Sequence, residues 1–150
     1  MLSAKLVRLI ESHWAQITNR ALAQIRSSPE MSHLHRLPEA ELREWGQHIL
    51  ENLGDGLASG NEAELAARYE QVGRMRFEEA IPLHEAVRAL CVLKEKALEF
   101  VEEHLELKTI VELYAEEELE HRLGRFFDFM LYHVVRGYEG AMRRAVRVGA

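Results

Sequence analysis

The chain holds a single cysteine, Cys91, and three prolines in 150 residues. One cysteine excludes an intramolecular disulfide, which suits a reducing cytoplasm. Excess positive charge is missing too: 19 Lys and Arg stand against 25 Asp and Glu, a formal charge of −6. Nonspecific nucleic-acid binding needs a net cationic surface to displace counterions, so that function class is set aside. The longest apolar stretch, Phe126 to Val135, is interrupted by Asp128 and His133. A membrane-spanning helix needs about 20 apolar residues, so no span is expected. The N-terminus shows charged helical periodicity in place of a secretion signal, and lipidation motifs are absent at both ends. No segment alternates with period two over the length of a strand. Gly-x-Ser-x-Gly, a phosphate-binding glycine loop and His-Glu-x-x-His are likewise absent. The lone thiol sits in the most apolar helix, where a thiolate is disfavoured. The chain is therefore not expected to be an enzyme.

What is present is a helical pattern. With 47% hydrophobic and 29% charged residues, the composition is that of one globular domain spanning residues 1–150. A chain of this length buries enough surface to fold without a metal. Leu6, Ile10, Trp14, Ile17, Ala21 and Ile25 recur at steps of three or four and predict one helix from an N-cap at Ser3 to Ser27. Pro29 ends it, and Glu30 to Leu37 reads as a loop. Pro38 suits the first turn of a second helix, with Leu42, Trp45, Ile49 and Leu53 on its inner side. Gly54-Asp55-Gly56 and Gly60 break the chain, and Asn61 is placed to cap a third helix running to about Glu79. Pro82 opens a fourth helix reaching about His104. From Ala86 to Leu93 it is apolar except at Arg88, which predicts a central helix enclosed by its neighbours. Thr109 caps a final helix of roughly 37 residues, about 55 Å at ~1.5 Å per residue. That exceeds what a core of this size covers, so the helix either breaks near Gly124 or Gly137 or projects toward another chain. The fold class is all-α.

Several polar residues invite a chemical reading. Arg88, among apolar neighbours, requires a partner such as Glu85, Glu78 or Glu79, or else an anionic ligand. Arg74 and Arg76 lead into the same turn, which makes Arg74, Arg76, His84 and Arg88 the candidate ligand-binding set. His84 or His133 would be the iron ligand of a haem-binding alternative, which needs an apolar slot. Glu118 and His121 share a helix face, but the second Glu-x-x-His pair of a di-iron bundle is missing, so no metal is expected. Trp14, Trp45 and Tyr69 read as core or as the lining of a small-ligand pocket. The seam Phe127, Met130, Val134 and Tyr138 is the candidate dimer interface. Arg143, Arg144 and Arg147 complement a helix C-terminus.

The stretch from Tyr69 through Gly73-Arg74-Met75-Arg76 to Ile81-Pro82-Leu83 and on through Arg88 to Leu90 resembles a bacterial pattern. A Gly-Arg-x-Arg run ends one helix and an Ile-Pro-Leu turn opens the next, apolar one. This is similar to the N-terminal domain of the RsbT co-antagonist proteins, the stressosome sensor family. Ile10, His13, Trp14 and Leu65 fit the same layout, whereas Ala80 stands where that pattern leads one to expect glycine. The resemblance implies a globin-like, all-α bundle of five to seven helices with a long C-terminal helix, usually without haem. It also implies a cytoplasmic homodimer that passes a stress signal through its last helix to an output domain or signalling partner. No output domain is recognisable in the chain, so an excised piece or a stand-alone relative is expected.

Overall fold

A computed structural model of the protein describes residues 2–58, 60–105 and 109–149. Among these, seven α-helices and two single-turn 3-10 segments account for the regular structure, and no strand is present. The helices are α1 (Ala4–Ser12), α2 (Trp14–Ser27), α3 (Glu39–Leu50), α4 (Leu53–Leu57), α5 (Glu62–Glu78), α6 (Leu83–Glu103) and α7 (Ile110–Gly149); the 3-10 turns are Pro29–Met31 and Leu34–Arg36. The all-α expectation holds, at the upper end of the expected helix count.

Three local readings are corrected. The first predicted helix is two, because the chain leaves the helical ladder at His13, whose Nδ1 donates to the Leu9 carbonyl at 2.9 Å. Both halves bury the same stripe, Ile10 and Ile17 alike, so the apolar spacing runs through the break unchanged. The segment after Pro29 is not featureless: its two turns are held from a distance by Glu85. The glycine-rich break after α3 holds the short helix α4. Pro38 and Pro82 each stand one residue before their helix, and their carbonyls accept from Leu42 and Ala86. Thr109 caps α7 as expected, its Oγ1 accepting from the Glu112 N–H at 3.1 Å. Ser3 and Asn61 hold the N-cap positions of α1 and α5 but make no cap with their side chains. The buried Ser3 hydroxyl instead donates to Glu118 and accepts from Arg122, tying α1 to α7.

The main core collects side chains from all seven helices around Phe100, Phe127 and Leu93. A second cluster, with Leu22, Ile25, Met31, Leu34 and Ile81, lies under the two 3-10 turns, and Trp45 packs against both. α6 contacts α1, α2, α5 and α7 and buries Ala86, Ala89, Leu90, Val92, Leu93, Ala97 and Phe100. Its enclosure is incomplete. His84 is exposed, Cys91 is half-buried, and Arg88 pairs with Glu95 at 3.1 Å on an outer flank where the two side chains keep 42% and 44% of their exposure. Positions 84, 88, 91 and 95 share one face of a helix, and that face points outward.

α7 runs unbroken for 40 residues, about 60 Å at ~1.5 Å per residue. Neither Gly124 nor Gly137 interrupts it. Gly137 lies against the backbone of Glu70 in α5, and Gly73 of α5 lies against the backbone of Val134 and Tyr138. A Cβ at either glycine would collide with a carbonyl oxygen of the facing helix. Two glycines thus let α5 and α7 approach backbone to backbone, and Glu70 reinforces the seam by accepting from His133 Nδ1 at 2.6 Å.

The turn from α5 into α6 carries the non-glycine residue with positive φ, Ala80 at +59°. The Ile81 N–H donates to the Arg76 carbonyl at 2.9 Å and the Ala80 N–H to the Phe77 carbonyl at 3.0 Å. This pair of bonds is a Schellman closure, which wants a left-handed residue at the position of Ala80. The place where the family pattern suggests glycine is the place where the backbone requires left-handed geometry.

Candidate functional site

α3 is attached to α2, and α5 is attached along α7. The two therefore face each other across a cleft, closed at one end where the C-terminal turn of α5 meets the start of α3. The cleft has two chambers that share His48, Ile49, Arg68 and Tyr69. The first, about 370 Å3, is lined by Trp45, Ile49, Val72 and Met75, with Glu41, Glu44 and Arg76 at its rim. The second, about 460 Å3, is more polar and is lined by Asn52, Asp55, Asn61, Glu64, Leu65 and Phe126. Volumes of this order are those of small-molecule sites.

The closed end is held by charge. Arg76 is buried, and its guanidinium reaches Glu79 at 2.7 Å and Glu41 at 3.6 Å. A buried guanidinium must be paired, and these two carboxylates supply the partners, Glu79 from the C-cap of α5 and Glu41 from α3. Burial holds the Glu41 carboxyl above its usual range, and the hydrogen bond and charge of Glu79 push the same way against the opposing pull of Arg76. Two carboxylates facing one guanidinium disfavour full ionisation of the cluster.

Tyr69 forms the partition between the chambers. Its side chain is 4% exposed, and its hydroxyl has no hydrogen-bond partner among the described residues. Burial pushes the phenol up to about 12, with the Arg68 guanidinium pulling the other way. Tyr69 therefore stays a neutral phenol, able to donate. Arg68 lies exposed beside it with no ion pair among the described residues.

The sequence-predicted residues do not converge. Arg76 lines the cleft, but it is spent on Glu79 and Glu41. Arg74 and His84 are exposed, and Arg88 is paired with Glu95 rather than with Glu85, Glu78 or Glu79. Glu85, 1% exposed, instead accepts from the backbone N–H groups of His33 and Leu34 and from His33 Nδ1 at 2.6 Å. Three of the four seam residues also turn inward: Phe127, Met130 and Val134 are at most 1% exposed and belong to the core of their own chain. Tyr138 is half-buried and donates to the Ile81 carbonyl at 2.8 Å. An interface between copies cannot use side chains already consumed by the protomer.

For the haem alternative, His84 lies at the surface and His133 is held by Glu70, so neither stands free in an enclosed apolar slot. Glu118 binds Ser3 while His121 is exposed, and no group of three or more His, Cys, Asp or Glu is placed to hold a metal among the described residues. No helix among them is long and apolar enough to cross a membrane. Sequence reasoning missed Arg68 and Glu41. The available signal was adjacency: Arg68 precedes Tyr69, and Glu41 lies four residues before Trp45, both aromatics already singled out as pocket candidates.

The family model described as RsbT co-antagonist protein rsbRD N-terminal domain matches residues 15–150. No curated protein and no solved structure matches the chain.

Proposed function

The chain belongs to the family of RsbT co-antagonist protein rsbRD N-terminal domains, and from that premise we propose that it is a non-enzymatic signalling domain of a bacterial stressosome. In this reading it is a single cytoplasmic sensor domain. It dimerises, works without a resident cofactor and passes its signal along α7 to an output domain or to a signalling partner such as RsbT. The observation that supports the relay is the reach of α7. Its middle is packed into the core, while Ile110, Val111, Leu113 and Tyr114 at one end and Met142, Val146 and Val148 at the other are exposed. Met142 and Val146 lie one turn apart and form the apolar strip on which a second copy of α7 would pack, in place of the inward-facing seam residues. Two packings of that helix pair would be the two states that a signal biases.

Sedimentation velocity tests the proposal. A dimer is expected at high micromolar concentration, and the double variant Met142→Glu, Val146→Glu should sediment as a monomer with unchanged helicity. A wild-type chain that stays monomeric refutes it. In a haem titration, the Soret band of free haem should remain unshifted.

A further inference from the structure

We propose that the cleft between α3 and α5 is a binding site for a small amphipathic monocarboxylate, its carboxylate held by Arg68 and the Tyr69 hydroxyl and its apolar part lodged against Trp45, Ile49 and Val72. The site goes beyond the signalling assignment and does not depend on the oligomeric state.

A hydrogen-bond donor stands open in the cleft. Tyr69 as a whole is 4% exposed, but its hydroxyl is not among the buried unpartnered atoms: it reaches the cleft, where it lines both chambers and makes no hydrogen bond to another described residue. Its high pKa, about 12 through burial, keeps it a donor across the physiological range. Arg68 supplies a permanent positive charge on the same partition and is engaged by no other side chain among the described residues. A neutral phenol and an unspent guanidinium side by side present donors and positive charge without an acceptor of equal strength, and a carboxylate complements that pair.

The remaining charges of the cleft do not compete for the same place. Arg76 is consumed by Glu79 and Glu41, which closes the far end of the first chamber. Glu44 pairs loosely with His48 at 3.4 Å on the rim. Asp55 and Glu64 line the second chamber and not the first. The apolar lining is concentrated in the first chamber, so an acid whose head meets the partition places its tail along Trp45 and Val72. The volume of about 370 Å3 admits a tail of modest length and not a full lipid chain pair.

Matched probes separate the charge from the tail. Octanoate, octylammonium and octanol are titrated into the full chain, with binding read by calorimetry and by the fluorescence of Trp45 in a Trp14→Phe background. Octanoate should bind saturably, and the amine and the alcohol at least about tenfold more weakly, the discrimination expected of charge-assisted hydrogen bonds. Tyr69→Phe keeps the ring and removes only the donor; Arg68→Gln removes an exposed charge that the fold does not use. Each should weaken octanoate about tenfold while leaving octanol binding unchanged. The proposal is overturned if octylammonium binds as tightly as octanoate, if both variants bind octanoate like the wild type, or if octanoate shows no saturable binding.

Discussion

Replacing Ala80 with glycine should stabilise the protein. Ala80 sits at φ +59°, closing α5 by the two bonds from Ile81 to Arg76 and from Ala80 to Phe77. A left-handed backbone brings the Cβ of an L-residue against the following carbonyl, at a cost of roughly 1–2 kcal/mol. Glycine escapes that contact but loses about 0.4–1 kcal/mol through the greater freedom of its unfolded chain. Ala80 is exposed, so its methyl group contributes little buried area. The difference is a gain of about 0.5–1 kcal/mol, or roughly 2–3 °C in Tm for a chain of this size. Thermal unfolding followed by circular dichroism, with urea titration to give the free energy, measures it directly. Ala80→Val provides the opposite sign, because a β-branched side chain tolerates positive φ still less. An Ala80→Gly Tm equal to or below the wild type would refute the argument, since it would mean the turn carries no strain for glycine to relieve.

The other expectations concern the seams of the bundle. Gly137→Ala places a methyl group into the Glu70 backbone and should lower stability by about 1–3 kcal/mol, read as a fall in the urea midpoint; a neutral result would mean that α5 and α7 are not in backbone contact. Glu85→Ala leaves two backbone N–H groups and the His33 ring without their acceptor. It should cost about 2–3 kcal/mol and speed amide exchange at His33 and Leu34 ahead of the rest of the chain. Glu41 carries a pH dependence. Its folded pKa lies above 4.5, so the native state holds that proton more tightly than the unfolded chain does. Stability is therefore lost as pH rises from 4.5 through the folded value and regained as pH falls back. Glu41→Gln should flatten that part of the stability–pH curve, and a curve of unchanged slope would remove Glu41 as its source.

Helix starts decided by local chemistry were legible in the sequence, although Ser3 and Asn61 hold their cap positions without capping through their side chains. Pro38, Pro82 and Thr109 mark helix starts because each acts on its own backbone or on the next few residues. Ala80 was marked out only as a departure from the family pattern, which leads one to expect glycine before the Ile-Pro turn; its left-handed backbone is a finding of the structure. Features decided by a distant partner were not legible. The break at His13 hides inside an apolar stripe that both α1 and α2 continue. The turns after Pro29 are held by Glu85, 52 residues from His33. Arg88 has apolar sequence neighbours, but on a helix the neighbours that matter stand three, four and seven residues away, and those place it on the outer flank with Glu95. Gly137 read as a break because a glycine can either interrupt a helix or admit a neighbour, and only the facing backbone of Glu70 decides between them. The cleft was half legible: Trp45 and Tyr69 were picked out and do line it, whereas Trp14 packs against the main core and belongs elsewhere.

The recognisable stretch from Gly73 to Leu90 turns out to be mostly architecture. Gly73 admits α7, Arg76 closes the cleft, Ala80 reverses the chain, and Glu85 anchors the turns after Pro29. These jobs converge on α5 and the turn that follows it. Tyr69, Val72, Gly73 and Arg76 lie within two turns of that helix, so the residues facing the cleft and those gripping α7 share one rigid rod. Gly73 and Gly137 leave no side chain between the two backbones to absorb a shift, Glu70 holds His133, and Tyr138 reaches over to the Ile81 carbonyl. A displacement of α5 relative to α3 must therefore carry α7 with it or break these contacts, because packed interfaces slide between discrete arrangements rather than deforming smoothly. α3 has no comparable run of contacts with α7 among the described residues; it meets α5 through the charge cluster of Glu41, Arg76 and Glu79 and through the apolar cluster that Trp45 and Ile49 share with Tyr69 and Val72.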